Sequence, residues 1–86
     1  MIKGQTSTGF DYTLEDEVLD DWEVLELIDE IEEKPNVMVR LAKRLLEDKQ
    51  YKALKEHCTV NSKVKMRVMM KEITEILNVN QETKNL

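Results

Sequence analysis

Fifteen consecutive residues, Leu19–Glu33 (LDDWEVLELIDEIEE), constrain this chain most, because they join an apolar stripe to an acidic face that no cation on the same segment offsets. Val24, Leu27, Ile28 and Ile31 recur at helical spacing, widened by Leu25 and Trp22, while Asp21, Glu23, Glu26, Asp29, Glu30, Glu32 and Glu33 occupy the remaining positions. Carboxylates at neighbouring helical positions cost roughly a few tenths of a kcal/mol per pair. Those in the last turn also oppose the helix dipole. Such a helix holds only when its stripe is packed or cations meet its charge, so it reads as the element on which the rest of the chain packs. Asp20 is the expected N-cap, with Glu23 completing a capping box and Leu19 and Val24 forming a hydrophobic staple.

The flanking segments follow from their own periodicities. Phe10, Tyr12 and Leu14 alternate as a strand does, and Gly9 offers a turn toward a weaker strand at about residues 2–8, which predicts a small N-terminal hairpin. Pro35 ends the acidic helix and opens a second at about Pro35–Leu46, with Val37, Met38, Leu41, Ala42 and Leu45 as its stripe. Asp48 caps an expected third helix to about Cys58, with Tyr51, Leu54 and Cys58 inward; residues 59–63 read as a polar loop. Met66, Met69, Met70, Ile73, Ile76 and Leu77 define a last helix at about Lys65–Asn78. The expectation is a mainly α fold of about four helices with a short N-terminal β-hairpin or strand. It forms a single domain over 1–78 with its β element at about 1–14, followed by a flexible tail at 79–86.

Charge is segregated along the chain. Residues 1–33 carry twelve acidic side chains against Lys3 alone, whereas residues 34–86 carry twelve basic against six acidic. The two halves can neutralise each other within the fold, or the acidic face can meet a basic client. A net charge of −5 weighs against a dedicated nucleic-acid binder, since phosphate affinity rests on surplus Lys and Arg. With 86 residues the core is small, which favours homo-oligomerisation. The single Cys58 excludes an internal disulfide and fits a reducing cytosol, and no apolar run is long enough to span a membrane; cytoplasmic residence is the expectation.

No constellation specifies catalysis. His57 adjoins Cys58, but the chain has no second His or Cys to complete a zinc shell, and both read as structural. The carboxylates lack the spaced ligands and central glycine of a calcium loop, and no pair is set apart as acid and base. No metal, cofactor, small-molecule substrate or enzymatic activity is expected. Candidate partner contacts are Glu26, Glu30 and Glu33 on the acidic helix, Arg40, Lys43 and Arg44 on the basic edge, and Met66, Met69 and Met70 on the last helix. The basic surface continuing through Lys49, Lys52 and Lys55 reads first as the partner of the acidic helix and second as a nucleic-acid contact. The methionines read first as core and second as an adaptable surface that grips varied apolar partners.

The order of segments, GFDYTLEDEVLDDWEVLELIDEIEE, then VMVRLAKRLLEDKQYKALKEHC, then VNSKVKMRVMMKEITEIL, resembles the tail assembly chaperones of long-tailed phages and prophages of Gram-positive bacteria over residues 6–78. Leu19 to Glu23, the junction Leu45 to Gln50 and the loop His57 to Val64 carry it. Two positions depart from the pattern: Glu47 stands where glycine is expected after the paired leucines, and Asn61-Ser62-Lys63 lacks a glycine-containing turn. The resemblance implies a non-enzymatic protein of the host cytoplasm, absent from the mature virion. Its role would be to coat the long helical tape measure protein before the tail tube assembles. Many such chaperones also have a frameshifted longer form that recruits tail tube protein.

Overall fold

The computed structural model describes residues 1–82, with side chains through Asn80. Two antiparallel strands open the chain, β1 (Ile2–Gln5) and β2 (Asp11–Leu14), paired so that Ile2 faces Leu14 and Gly4 faces Tyr12. Gly4 is required by close approach: a Cβ there would overlap the Tyr12 ring and hydroxyl. The connection is closed by the Thr6 amide donating to the Phe10 carbonyl at 2.9 Å and the Phe10 amide donating to the Thr6 hydroxyl at 3.1 Å. Gly9 occupies its positive-φ position at φ 92. A two-stranded hairpin is marginal in water. This one persists because Phe10, Tyr12 and Leu14 are buried under the helices.

A 3-10 turn at Asp16–Asp20 leads into α1 (Trp22–Glu30). The helix is shorter than its periodicity predicts at both ends. Asp21 rather than Asp20 is the N-cap, accepting from the Glu23 amide at 3.0 Å. At the far end the chain enters a turn at 31–33, where the Lys34 amide donates to the Glu30 carbonyl at 2.8 Å. Repulsion among terminal carboxylates and the extended preference imposed on Lys34 by Pro35 account for the early end. At about 100° per residue, Trp22 falls nearly opposite the stripe of Val24, Leu27, Ile28 and Ile31 and Leu25 falls beside it, so both residues, expected to widen the apolar stripe, are instead 70% and 52% exposed. Only Val24 of α1 is buried, with Leu27, Ile28 and Ile31 partly so.

The hub is therefore not the acidic helix but α2 (Val37–His57), which supplies Val37, Met38, Leu41, Ala42, Leu45, Leu46 and Leu54 to the core and packs on α1, β2 and α3. Each fully buried leucine there removes enough apolar surface to contribute about 1.5–3 kcal/mol. The expected second and third helices form this single 21-residue element, so the α-helices number three, not about four. The anticipated junction survives as a bend: Glu47 has φ 64 and ψ 171, a conformation glycine tolerates and other residues adopt at a cost. Gln50 braces it. Its side-chain amide donates to the carbonyls of Leu46 at 3.0 Å and Thr13 at 2.6 Å, and its carbonyl accepts from the Thr13 amide at 2.6 Å.

The segment expected as a polar loop is a second hairpin, β3 (Thr59–Val60) and β4 (Lys63–Val64), turned by Asn61 and Ser62 at φ 53 and 68. Two successive positive-φ residues are the requirement of a type I′ turn, which asparagine fills well and serine poorly. The last helix, α3 (Met66–Glu82), passes the expected end at Asn78. Asn80 holds it there, buried and donating to the Tyr12 hydroxyl at 3.1 Å and the Ile76 carbonyl at 2.7 Å. The start of the expected flexible tail is thus helical, and its remainder, residues 83–86, lies outside the described residues. Leu41, Leu46, Leu54, Ile73 and Ile76, each at most 1% exposed, mark the centre of the core.

Candidate functional site

The two sides of α2 carry two clefts of opposite character. Toward α1, Glu23, Glu26, Leu27 and Glu30 face Arg40, Lys43 and Arg44 across a space of about 490 Å³. The acidic and basic candidates on these two helices, except Glu33 beyond the end of α1, are thus brought together. They scarcely pair. Arg44 Nε donates to Asp21 at 2.7 Å and its Nη1 lies 3.2 Å from Glu23, whereas Glu26, Glu30, Arg40 and Lys43 make no ion pair among the described residues. The Arg44 guanidinium holds the Asp21 carboxyl below its ordinary value. Lys43 instead lies 5.7 Å from the centre of the Tyr51 ring, with Lys55 at 5.6 Å.

Toward α3, Met38, Val39 and Ala42 with Tyr51 form one wall of an apolar groove of about 360 Å³, and Met66, Met69, Met70 and Ile73 form the other. Lys55 is the one charged residue in its lining among the described residues. All three methionine candidates meet there, and Met69 and Met70 pack against the core as their spacing first suggests, whereas Met66 does not. Met66 is 71% exposed, and Met69 and Met70 are partly buried. The reason is geometric. Met66 opens α3 directly after the hairpin β3–β4, Val68, Met69 and Met70 are partly buried, and the fully buried apolar residues of α3 begin at Ile73. Flexible thioether side chains lining an open groove make a surface that adapts to apolar partners of varied shape.

A polar clamp, invisible to periodicity, fixes the tip of the first hairpin to α3. Ser7 donates through its amide and hydroxyl to Glu75 at 2.6 and 2.8 Å. Thr8 donates its single hydroxyl proton to Glu72 at 2.9 Å, so His57 Nε2, also 2.9 Å away, is the donor toward Thr8. Glu72 is 1% exposed and its second oxygen is unpartnered among the described residues. Burial, and next the nearby Glu72 carboxylate, push the Cys58 thiol up, away from nucleophilic thiolate. His57 and Cys58 hence act in packing and in the clamp. Among the described residues no group of three or more His, Cys, Asp and Glu is placed to hold a metal ion, and no helix is long and apolar enough to cross a membrane.

No family model, no curated protein and no solved structure matches the chain.

Proposed function

We propose that this protein is a non-enzymatic assembly chaperone of the phage tail type, acting in the cytoplasm of a bacterial host and left out of the finished virion. Its client is an amphipathic helical segment, such as the tape measure protein presents along its length. The observation that carries the reading is the methionine-lined groove between α2 and α3, whose apolar walls suit an i, i+3, i+4, i+7 stripe. The backbone lends support. Positive φ values fall at Glu47 and at Asn61 and Ser62, where the family pattern has glycine. Tail tube protein is a further partner for a frameshifted longer form.

Co-expression with the tape measure protein of the same gene cluster tests the reading. A soluble complex on gel filtration is expected, and Met69→Asp with Met70→Asp should abolish it. A client that stays insoluble beside well-folded wild type sinks the proposal. The second reading, a nucleic-acid-binding or regulatory module, rests on Arg40, Lys49, Lys52 and Lys55, which are exposed and outside any ion pair among the described residues. It requires a mobility shift at low salt that weakens steeply as salt rises.

A further inference from the structure

The groove has a counterpart on the same chain. Of the large apolar side chains left in water, Trp22 and Leu25 stand together on the outer face of α1, 70% and 52% exposed, with Glu26 and Asp29 beside them. From residue 4 to residue 33 there is no Lys, Arg or His, so this edge is purely acidic. The groove is bordered by the opposite sign. Lys55 lies in its lining, and Lys65 and Arg67 are exposed on either side of Met66 where α3 begins. No α1 residue lines the groove, so Trp22 does not fill it within one chain.

We infer that a second copy of the chain fills the groove, its Trp22–Leu25 edge seated on Met66, Met69 and Met70 with its carboxylates toward Lys55 and the basic start of α3. Burying one indole removes about 150–250 Å² of surface, and thioether contacts with the ring edge favour this pairing. Opposite potentials orient the encounter and disfavour acidic edge on acidic edge. The inference does not depend on the proposed chaperone function. A client helix and a second copy would occupy the same groove in turn, so the self-contact is what a client displaces; a missing client leaves the inference standing, and a monomeric protein leaves client binding standing.

Sedimentation equilibrium of the wild type, Trp22→Ser and Met66→Glu tests it. Both substituted side chains are exposed, and a carboxylate suits the start of α3, so thermal melts should show both variants folded. The wild-type mass should rise with concentration to at least twice the 10.1 kDa of one chain, with a blue shift of Trp22 emission. Each variant alone should stay at one chain. Mixing the two should restore a two-chain species, because one partner then offers an intact edge and the other an intact groove. A monomeric wild type at high micromolar concentration, association untouched by either substitution, or no recovery on mixing each overturns the inference.

Discussion

On its α1 side, α2 presents Arg40, Lys43 and Arg44 to Glu23, Glu26 and Glu30 over about 490 Å³, and only Arg44 closes the gap. On its α3 side, Met38, Val39 and Ala42 look across about 360 Å³ at Met66, Met69 and Met70. Both spaces are open, but they differ in what filling them would gain. Solvated charges already have water as a partner, and exposed ion pairs contribute little beyond it. Apolar walls gain in proportion to the area taken out of water. For any partner, the charged side would therefore tune approach and salt response, while the apolar side would supply most of the affinity.

Leu41→Ala should break both sides at once, because Leu41 is fully buried in the helix they share. A loss of about 2–5 kcal/mol is expected in urea unfolding. Glu47→Gly should sharpen the contrast by relaxing the bend between the arm bearing Arg40–Arg44 and the arm bearing Tyr51 and Lys55. A gain of about 1 kcal/mol is expected, the relief of an unfavourable backbone conformation exceeding the added entropy of glycine in the unfolded chain. A loss instead would mean that the Glu47 side chain, not its backbone, matters there.

Arg44→Ala probes the one closed contact on the charged side and should lower Tm modestly at neutral pH. The Asp21 carboxyl is held below its ordinary value of 3.8 by Arg44, so the stability its ionised form contributes is present above that value and lost as the pH falls through the lowered one. The Tm difference between wild type and variant should accordingly shrink in acid; a difference constant with pH would remove Asp21 from the account. The smallest effect belongs to Glu26→Gln, Glu30→Gln and Glu33→Gln combined. None of the three is ion-paired among the described residues, so Tm should hold or rise slightly as repulsion is relieved. A clear fall would show that the acidic face is stabilised across the cleft after all.

Much of this layout is legible in the residues. The alternation Phe10, Tyr12, Leu14 marks the buried strand, and the stripes of α2 and of α3 from Ile73 onward mark the core. Sequence also singles out the acidic, basic and methionine candidates that line the two clefts, except Glu33. Trp22 departs from the expectation because about 100° per residue sets it nearly opposite the packed stripe, and the cap falls on Asp21 because adjacent aspartates offer the same capping chemistry. Asn61-Ser62 hides a hairpin, since neither is glycine and each strand is two residues long. Spacing alone also cannot separate a methionine that lines a groove from one that fills a core. Glu72 and Asn80 are buried through hydrogen bonds to residues 64 and 68 positions away, which no local pattern records.

The amide of Gln50 has a consequence for the company this protein keeps. By exchanging two hydrogen bonds with the Thr13 backbone, it stands where a third strand would begin. A free sheet edge templates strand addition from any extended chain. With β1 on one flank of β2 and the Gln50 side chain on the other, β2 is closed to strand addition at Thr13, and the outer edge of β1 is the side of the hairpin left to recruit another strand.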